Sequence, residues 1–537
     1  MAGVRELHLS RRLLLRRILP AGIVAITLNG CALLGSQPSN QTAPAAIPAR
    51  GTPQPRSGGK LRVGLTGDIV PASIPHAIHG SNFQFNPLVY DTLVRYDEHM
   101  NPQPALATSW TWSSDFRGLT LALRPGVHFH SGRPFTSRDA KINLERLRDP
   151  ALASQWRNYA ELMHIDTPDA GTLVINYDAP VKSSFDVVAM SLMADPLTLD
   201  QTAQGRGFVG TGPFRFKDWA QGDHVAVERN PDYWQSGKPY LDGVELRVLA
   251  DPATAALALE ANALDWLTGV PGQDAKRLGS DPSYRVLLSG NGGVFYFVGF
   301  DVSHPDLADR RVRQAFGYAL NRPRIVEVAL NGFGRPTSIA WPTQSLGYDA
   351  TQDQTYVYNL DRARALLRDA SWDSTHVIPL LVPDFVPLAR RVAEILQSDL
   401  ELVGVHASIQ FLSGAELAAR GQKRQYAGAW ISPMSFMNLS PTTFLITSSV
   451  VRVPNASNFA TGRYKQLIDQ AVNVTDDQAL KTTIHEVTQI MLDEAFILPF
   501  AEGAGQQAGP EVAHARVNGA HWDGFGLYAY QDVWLSQ

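Results

Sequence analysis

The sequence predicts a large body of α/β or α+β class with insertions, and three observations lead there. Short β-branched or aromatic runs bounded by Gly, Asn, Asp or Pro are interspersed with amphipathic runs at helical spacing. Strict βαβ alternation is missing, and so is any internal repeat. About 480 residues lie beyond Gly59, and the whole chain is 44% hydrophobic with 11 Trp and 43 Gly, ample for a multi-lobed protein.

Residues 1–30 differ from that body. Arg5, Arg11, Arg12, Arg16 and Arg17 stand against one acid, Glu6, and the apolar run 18–28 follows, the layout of a secretory signal. A spanning helix needs about 20 apolar residues; this run is shorter, and no later stretch approaches that length. Leu28-Asn29-Gly30-Cys31 resembles a bacterial lipobox, in which the cysteine is lipidated and becomes the mature N-terminus. Cys31 is the only cysteine, so no internal disulfide can form, and lipidation is its expected fate. Ser10-Arg11-Arg12-Leu13-Leu14 also looks like a twin-arginine signal, and the ordinary secretory route stays open beside it. Residues 32–59 are rich in Pro, Ala, Gln, Ser and Thr; they cannot bury enough apolar surface to fold and read as a disordered tether. Removing the five arginines and one glutamate of residues 1–30 takes the formal charge from -4 to -8, which argues against nucleic acid as a partner.

The body opens on a strand at 60–65, where Leu61, Val63 and Leu65 alternate onto one face. Thr136 offers a hydroxyl cap with Asp139 three residues on, and Ala140, Leu144 and Leu147 follow at helical spacing. Val312, Ala315, Phe316, Ala319 and Leu320 form a second amphipathic stripe. Asn321-Arg322-Pro323 breaks it, and Pro323 suits the first turn of a third helix carrying Ile325, Val326 and Leu330. Two more helices run through Leu388, Val392, Ile395 and Leu396, and through Leu480, Ile484, Val487 and Met491. Strands are predicted at 225–227, 244–249, 286–288 and 294–300.

Several ordered blocks carry a resemblance. They are Leu88 to Asp97, Pro104 to Trp110, Leu123 to Phe135, Gly210-Thr211-Gly212-Pro213-Phe214, Glu228-Arg229-Asn230-Pro231-Asp232-Tyr233-Trp234, Asp309 to Ala315, and Tyr318-Ala319-Leu320-Asn321-Arg322. In this order they resemble the dipeptide-, oligopeptide- and nickel-binding proteins of ABC importers, extracellular solute-binding family 5, over nearly all of residues 60–537. Taken as physics, the blocks are mostly structural. The stretch 123–135 reads as a β-ribbon running into the capped helix, and Trp110, Trp112 and Trp234 read as packing aromatics.

The resemblance implies a two-lobed periplasmic-binding-protein-like fold of type II with an extra domain beside the first lobe. Lobe I would comprise 60–92, 207–298 and 506–537, the extra domain 93–206 and lobe II 299–505. Crossings are expected near Phe297-Val298-Gly299-Phe300 and Glu502-Gly503-Ala504-Gly505, where glycine permits rotation. It further implies capture of a peptide-like or other polar or amphipathic solute between the lobes, and delivery to ABC permease subunits. The protein would be a monomer held by its lipid anchor at the outer face of the membrane or in the periplasm.

The resemblance also points to a site. Peptide binders of the family supply a carboxylate for the peptide's amino group from a segment matching 426–438 here. No Asp or Glu occurs between Glu416 and Asp469, so an ordinary peptide ammonium lacks its partner there. The segment offers Trp430 and Phe436 for flat contact, Ser432, Ser435 and Asn438 for neutral hydrogen bonds, and deformable Met434 and Met437. Asn82 and Phe83 are expected to approach the ligand from lobe I, and Phe295 and Tyr296 near the crossing.

Catalytic and metal chemistry find little support. His485-Glu486-Val487-Thr488-Gln489 begins like a zinc-protease helix, but Gln489 stands where the second His is required. His76 with His79, and His128 with His130, are close pairs without cysteines nearby. There is no Gly-x-Ser-x-Gly elbow and no phosphate-binding Gly-x4-Gly-Lys loop. The reading is a non-enzyme without cofactor or metal; a secreted hydrolase on this scaffold and a ligand-presenting receptor for a sensor are the alternatives.

Overall fold

The computed structural model describes residues 54–76, 80–288, 294–384, 386–435, 440–503 and 509–536. Cys31, the signal and most of the tether lie outside them, as do His79, Phe436, Met437 and Asn438. The first strand is Lys60–Leu65, with Leu61, Val63 and Leu65 at most 1% exposed. Its neighbours Gly243–Val248 and Trp266–Leu267 run parallel to it. Antiparallel strands extend the sheet to seven, in the order Tyr284–Leu287, Glu511–His514, Trp266–Leu267, Lys60–Leu65, Gly243–Val248, His224–Arg229, Phe214–Ala220.

A second sheet of six strands has the order Gly334–Pro336, Ile497–Gly503, Val294–Phe300, Ala429–Ser435, Val377–Pro383, His406–Leu412. Every residue of Val294–Phe300 is buried, because both edges are paired and both faces covered, which is why the run is apolar throughout instead of alternating. Each sheet anchors its own hydrophobic cluster, one drawn from residues 61–266 and 513–533, the other from 294–501. The result is two α/β lobes. A third, four-stranded antiparallel sheet, Ala107–Trp112, Gly118–Leu123, Thr172–Asn176, His164–Asp169, shares the first lobe's cluster.

The predicted helices form where their caps placed them. Thr136 and Asp139 make a capping box that opens Ser137–Arg146. Arg310–Ala319 is followed by Arg322–Val328, capped by the Asn321 side chain with Pro323 in its first turn. Pro387–Glu401 and Asp477–Glu494 complete the set. The stretch after Leu123 forms a short ribbon: on either side of the bridge His128 to Pro134 the Phe129 N–H donates to the Arg133 carbonyl at 2.8 Å and the Phe135 N–H to the Val127 carbonyl at 2.9 Å, and Gly126 and Gly132 turn the chain at positive φ.

The sequence blocks converge in space. Asp91, 1% exposed, accepts from Arg95 (2.7 Å), Trp234 Nε1 (2.9 Å), Thr211 Oγ1 (3.1 Å) and the Tyr233 hydroxyl (3.2 Å), so three of the blocks meet on one carboxylate. Gly210 is required because a Cβ there would sit 2.2 Å from the Val89 carbonyl oxygen. In lobe II, Arg322 is 3% exposed and donates to the carbonyls of Gly317, Tyr356, Thr337 and Pro499 at 2.8–3.0 Å.

Candidate functional site

The strand Ala429–Ser435 runs antiparallel to Val294–Phe300 in the register Val294 to Ser435, Phe295 to Met434, Phe297 to Ser432 and Gly299 to Trp430. Pairing sets the face: Phe295, Phe297, Trp430, Ser432 and Met434 share one side, while Tyr296 points to the other. Six of the residues expected at the site, Phe295, Tyr296, Trp430, Ser432, Met434 and Ser435, therefore lie on two adjacent strands. Their exposure differs. Phe295, Tyr296 and Trp430 are 0%, 2% and 2% exposed, whereas Ser432 and Met434 are half-buried and reach the surface.

Trp430 lies face to face on Tyr426, ring centroids 4.0 Å apart, and a Cβ at Gly299 would stand 2.3 Å from its ring. Glycine at 299 thus makes room for the indole in the middle of a paired strand. Tyr296 stacks on Phe500 at 6.1 Å; its hydroxyl is buried without a hydrogen-bond partner among the described residues, and burial raises its pKa well above the ordinary phenol range. Ser432 Oγ donates locally to the Pro433 carbonyl at 3.1 Å.

On the lobe I side, Asn82 starts the helix Asn82–Val89 and spends its amide on Val70: Oδ1 accepts from the Val70 N–H at 2.9 Å and Nδ2 donates to its carbonyl at 3.2 Å. Phe83 is 2% exposed in the first lobe's core. Through its bonds to Val70, Asn82 pins the loop after the first strand. Phe436 falls outside the described residues.

The acids of lobe I nearest the ends of its central strands are already engaged. Asp68 accepts from Trp219 Nε1 at 3.0 Å and from the Gly222 N–H at 2.7 Å. Glu511, 1% exposed, accepts from Trp266 Nε1 at 2.7 Å and from the Tyr528 hydroxyl, and burial pushes its carboxyl up to about 7.

One basic residue was not legible as a site residue. The turn after the helix Pro441–Thr447 packs beside the strand: Ser448 Oγ lies 4.0 Å from Met434 Sδ, and the Ser448 carbonyl accepts from the Arg452 N–H at 3.0 Å. The Arg452 side chain is half-buried, burial lowers its pKa, and no hydrogen bond or ion pair holds it among the described residues. Other bases of the acid-free segment are accounted for. Arg420 donates to the Tyr426 carbonyl, Arg463 pairs with Glu486, and Lys423, Arg424 and Lys465 are exposed.

His128, His130 and His485 have ordinary roles, and His79 lies outside the described residues. His130 bonds the Gly212 carbonyl through Nε2 at 2.9 Å, His128 is exposed, and His485 faces Asp349 on the surface. No group of three His, Cys, Asp or Glu poised for a metal occurs among the described residues.

Comparison with known proteins agrees with this architecture. The glutathione-binding protein GsiB of Escherichia coli strain K12 is 28% identical over 424 residues, covering 74% of this chain and 80% of the relative. Among solved structures, the PBP AgaA from A. tumefaciens R10 in complex with agropinic acid superposes with a TM-score of 0.78 at 25% identity, covering 89% of this chain and 99% of that one. The periplasmic binding protein DppA from Helicobacter pylori in complex with the peptide STSA gives a TM-score of 0.78 at 22% identity, covering 90% and 99%. The fold is the two-lobed periplasmic-binding-protein fold of type II. The model of the bacterial extracellular solute-binding proteins, family 5 (middle region), matches residues 101–451. The chain therefore belongs to family 5 of the bacterial extracellular solute-binding proteins, extracytoplasmic proteins that capture a small ligand between two lobes for delivery to the permease of an ABC importer.

Proposed function

We propose that the cargo is a small solute bearing a carboxylate, held against the strand Ala429–Ser435 with Arg452 as its counter-ion. The observation that carries this is the Arg452 side chain. A partly desolvated guanidinium without an anion is costly, and an incoming carboxylate relieves that cost through charge-assisted hydrogen bonds. The lack of any acid from 417 to 468 points the same way, since it leaves this wall without a partner for an ammonium. Glutathione, agropinic acid and peptides, the ligands named for the relatives, all carry carboxylates. Ser432 and Met434 would meet the solute. Phe295, Tyr296 and Trp430 would back them, Asn82 and Phe83 would hold the lobe I loop, and Phe436 would extend the wall.

In the same reading the chain is exported and then lipidated at Cys31, and it works as a monomer tethered by residues 32–59. Lobe I is 60–92, 207–298 and 506–537, the extra domain 93–206 and lobe II 299–505. Separate sheets for 60–92 with 207–288 and 511–514, for 107–176 and for 334–503 support the division except at one boundary: Val294–Phe300 pairs inside the six-stranded sheet, so the crossing into lobe II falls before Val294 and not at 298.

Native mass spectrometry of protein purified without refolding tests the cargo. The expected result is a bound small molecule, released unchanged on denaturation, whose occupancy falls at least about tenfold in Arg452→Ala, the loss of a charge-assisted hydrogen bond. A cationic solute lacking any acid group, or one chemically altered by incubation with the protein, would contradict the proposal.

A further inference from the structure

Residues 158–186 reach across to residues 440–477 through three polar side chains. Asp186, on the helix Ser184–Met190, is 2% exposed. Its Oδ1 accepts from the Tyr96 hydroxyl at 2.9 Å, and its Oδ2 accepts from the Ser440 N–H at 3.0 Å and from the Thr443 hydroxyl. Lys182 Nζ lies 2.7 Å from Asp477 Oδ1 and donates to the Thr475 carbonyl at 3.3 Å. Asn158 Nδ2 donates to the Ile446 carbonyl at 3.3 Å. Between these contacts lies a cavity of about 250 Å³, lined from one side by Tyr96, Lys182 and Phe185 and from the other by Leu346, Val474 and Leu480.

A seam that encloses such a space is held by its polar contacts more than by close apolar packing, as at surfaces that part and rejoin. Asp186 is the costly member. Burial pushes its carboxyl up to about 6 in spite of three donors, so the seated carboxylate is only partly compensated. Two of those donors belong to the opposite side of the seam and are lost when it opens.

The gripped segment is not remote from the cleft. The helix Pro441–Thr447 begins six residues after Ser435, the end of the strand Ala429–Ser435, and Ser448 beyond it touches Met434. Whatever fixes Ser440 and Thr443 also bears on the far end of the wall that carries the half-buried Ser432 and Met434.

We propose that Asp186 is a positioning residue for solute retention: it seats the 93–206 region on the 440–447 segment and so holds the solute-facing strand in its retaining geometry. Lys182 and Asp477 are its exposed auxiliaries. The proposal rests on the solute-binding reading above, and its test separates the two.

Spin labels on Leu197→Cys and Leu402→Cys, both exposed sites, in a Cys31→Ser chain report the distance across the molecule without any added solute. Native mass spectrometry of the same variants reports loss of co-purified solute. Asp186→Asn and Thr443→Val are expected to broaden the distance distribution toward longer values and to speed solute loss at least about tenfold, the range of a hydrogen bond to a charged group. Lys182→Glu, on the surface and harmless to folding, should speed loss about threefold, with Asp477→Lys restoring it. Unchanged distances in all variants, longer distances with unchanged retention, or no rescue by the charge swap would each overturn the proposal. A chain whose distances lengthen but which never carries solute would uphold the seam and overturn the solute-binding reading instead.

Discussion

Each lobe buries a full charge, and the two lobes solve the problem with opposite signs. In lobe I, Asp91 collects four donors from side chains of three sequence blocks. In lobe II, Arg322 spends its guanidinium on four backbone carbonyls. The difference matters because side-chain partners can be replaced by apolar groups together with the ion, whereas carbonyls remain after any substitution. Lobe II is consequently the less forgiving. Burial lowers the Arg322 pKa to about 10, so it stays charged through neutral pH, while the buried acids of lobe I are pushed up toward the physiological range.

The largest expected effect breaks the comparison on the lobe II side. Arg322→Met should cost at least about 4 kcal/mol, because it leaves four buried carbonyls without donors. The loss should be confined to lobe II and read as faster hydrogen exchange in 294–300 and 497–503. A variant as protected as the parent would mean that the carbonyls find other donors, and the contrast would fail.

A smaller effect sharpens the lobe I side. The Glu511 carboxyl titrates near 7 when folded against an ordinary value of 4.5, so the folded state holds a proton that the unfolded chain has released. Its contribution is fully present below about pH 4.5 and is lost as pH rises through about 7, worth about 3 kcal/mol. Glu511→Gln keeps one acceptor oxygen, for the Trp266 N–H, offers the Tyr528 hydroxyl an N–H to accept in place of the second oxygen, and removes the titration. Thermal melts from pH 5 to 8 should show the parent's lobe I transition falling more steeply than the variant's, and parallel curves would contradict the assignment.

Much of the fold was legible because local signals and tertiary demands agree. Thr136 with Asp139 marks a helix start whatever surrounds it, and Lys60–Leu65 alternates. Packing across long sequence separations was not legible. Gly299 reads as a point of rotation until the Trp430 ring is seen beneath it, 131 residues away. The site was legible as a segment and not as a surface, since a sequence places Trp430, Ser432 and Met434 on one strand face without saying which of them the neighbouring rings cover. Arg452 gave no signal because an unpaired arginine is recognised only by the partners it lacks. Asp186 gave none because its partners across the seam lie more than 250 residues on.

The central claim is that solute closes two lobes and leaves unchanged. Small-angle X-ray scattering, with the solute recovered from native protein titrated back into solute-free chain, tests it directly. The account predicts a saturable decrease in radius of gyration with the solute recovered intact, as hinge closure requires. No change in radius at saturation, or consumption of the solute, would contradict it.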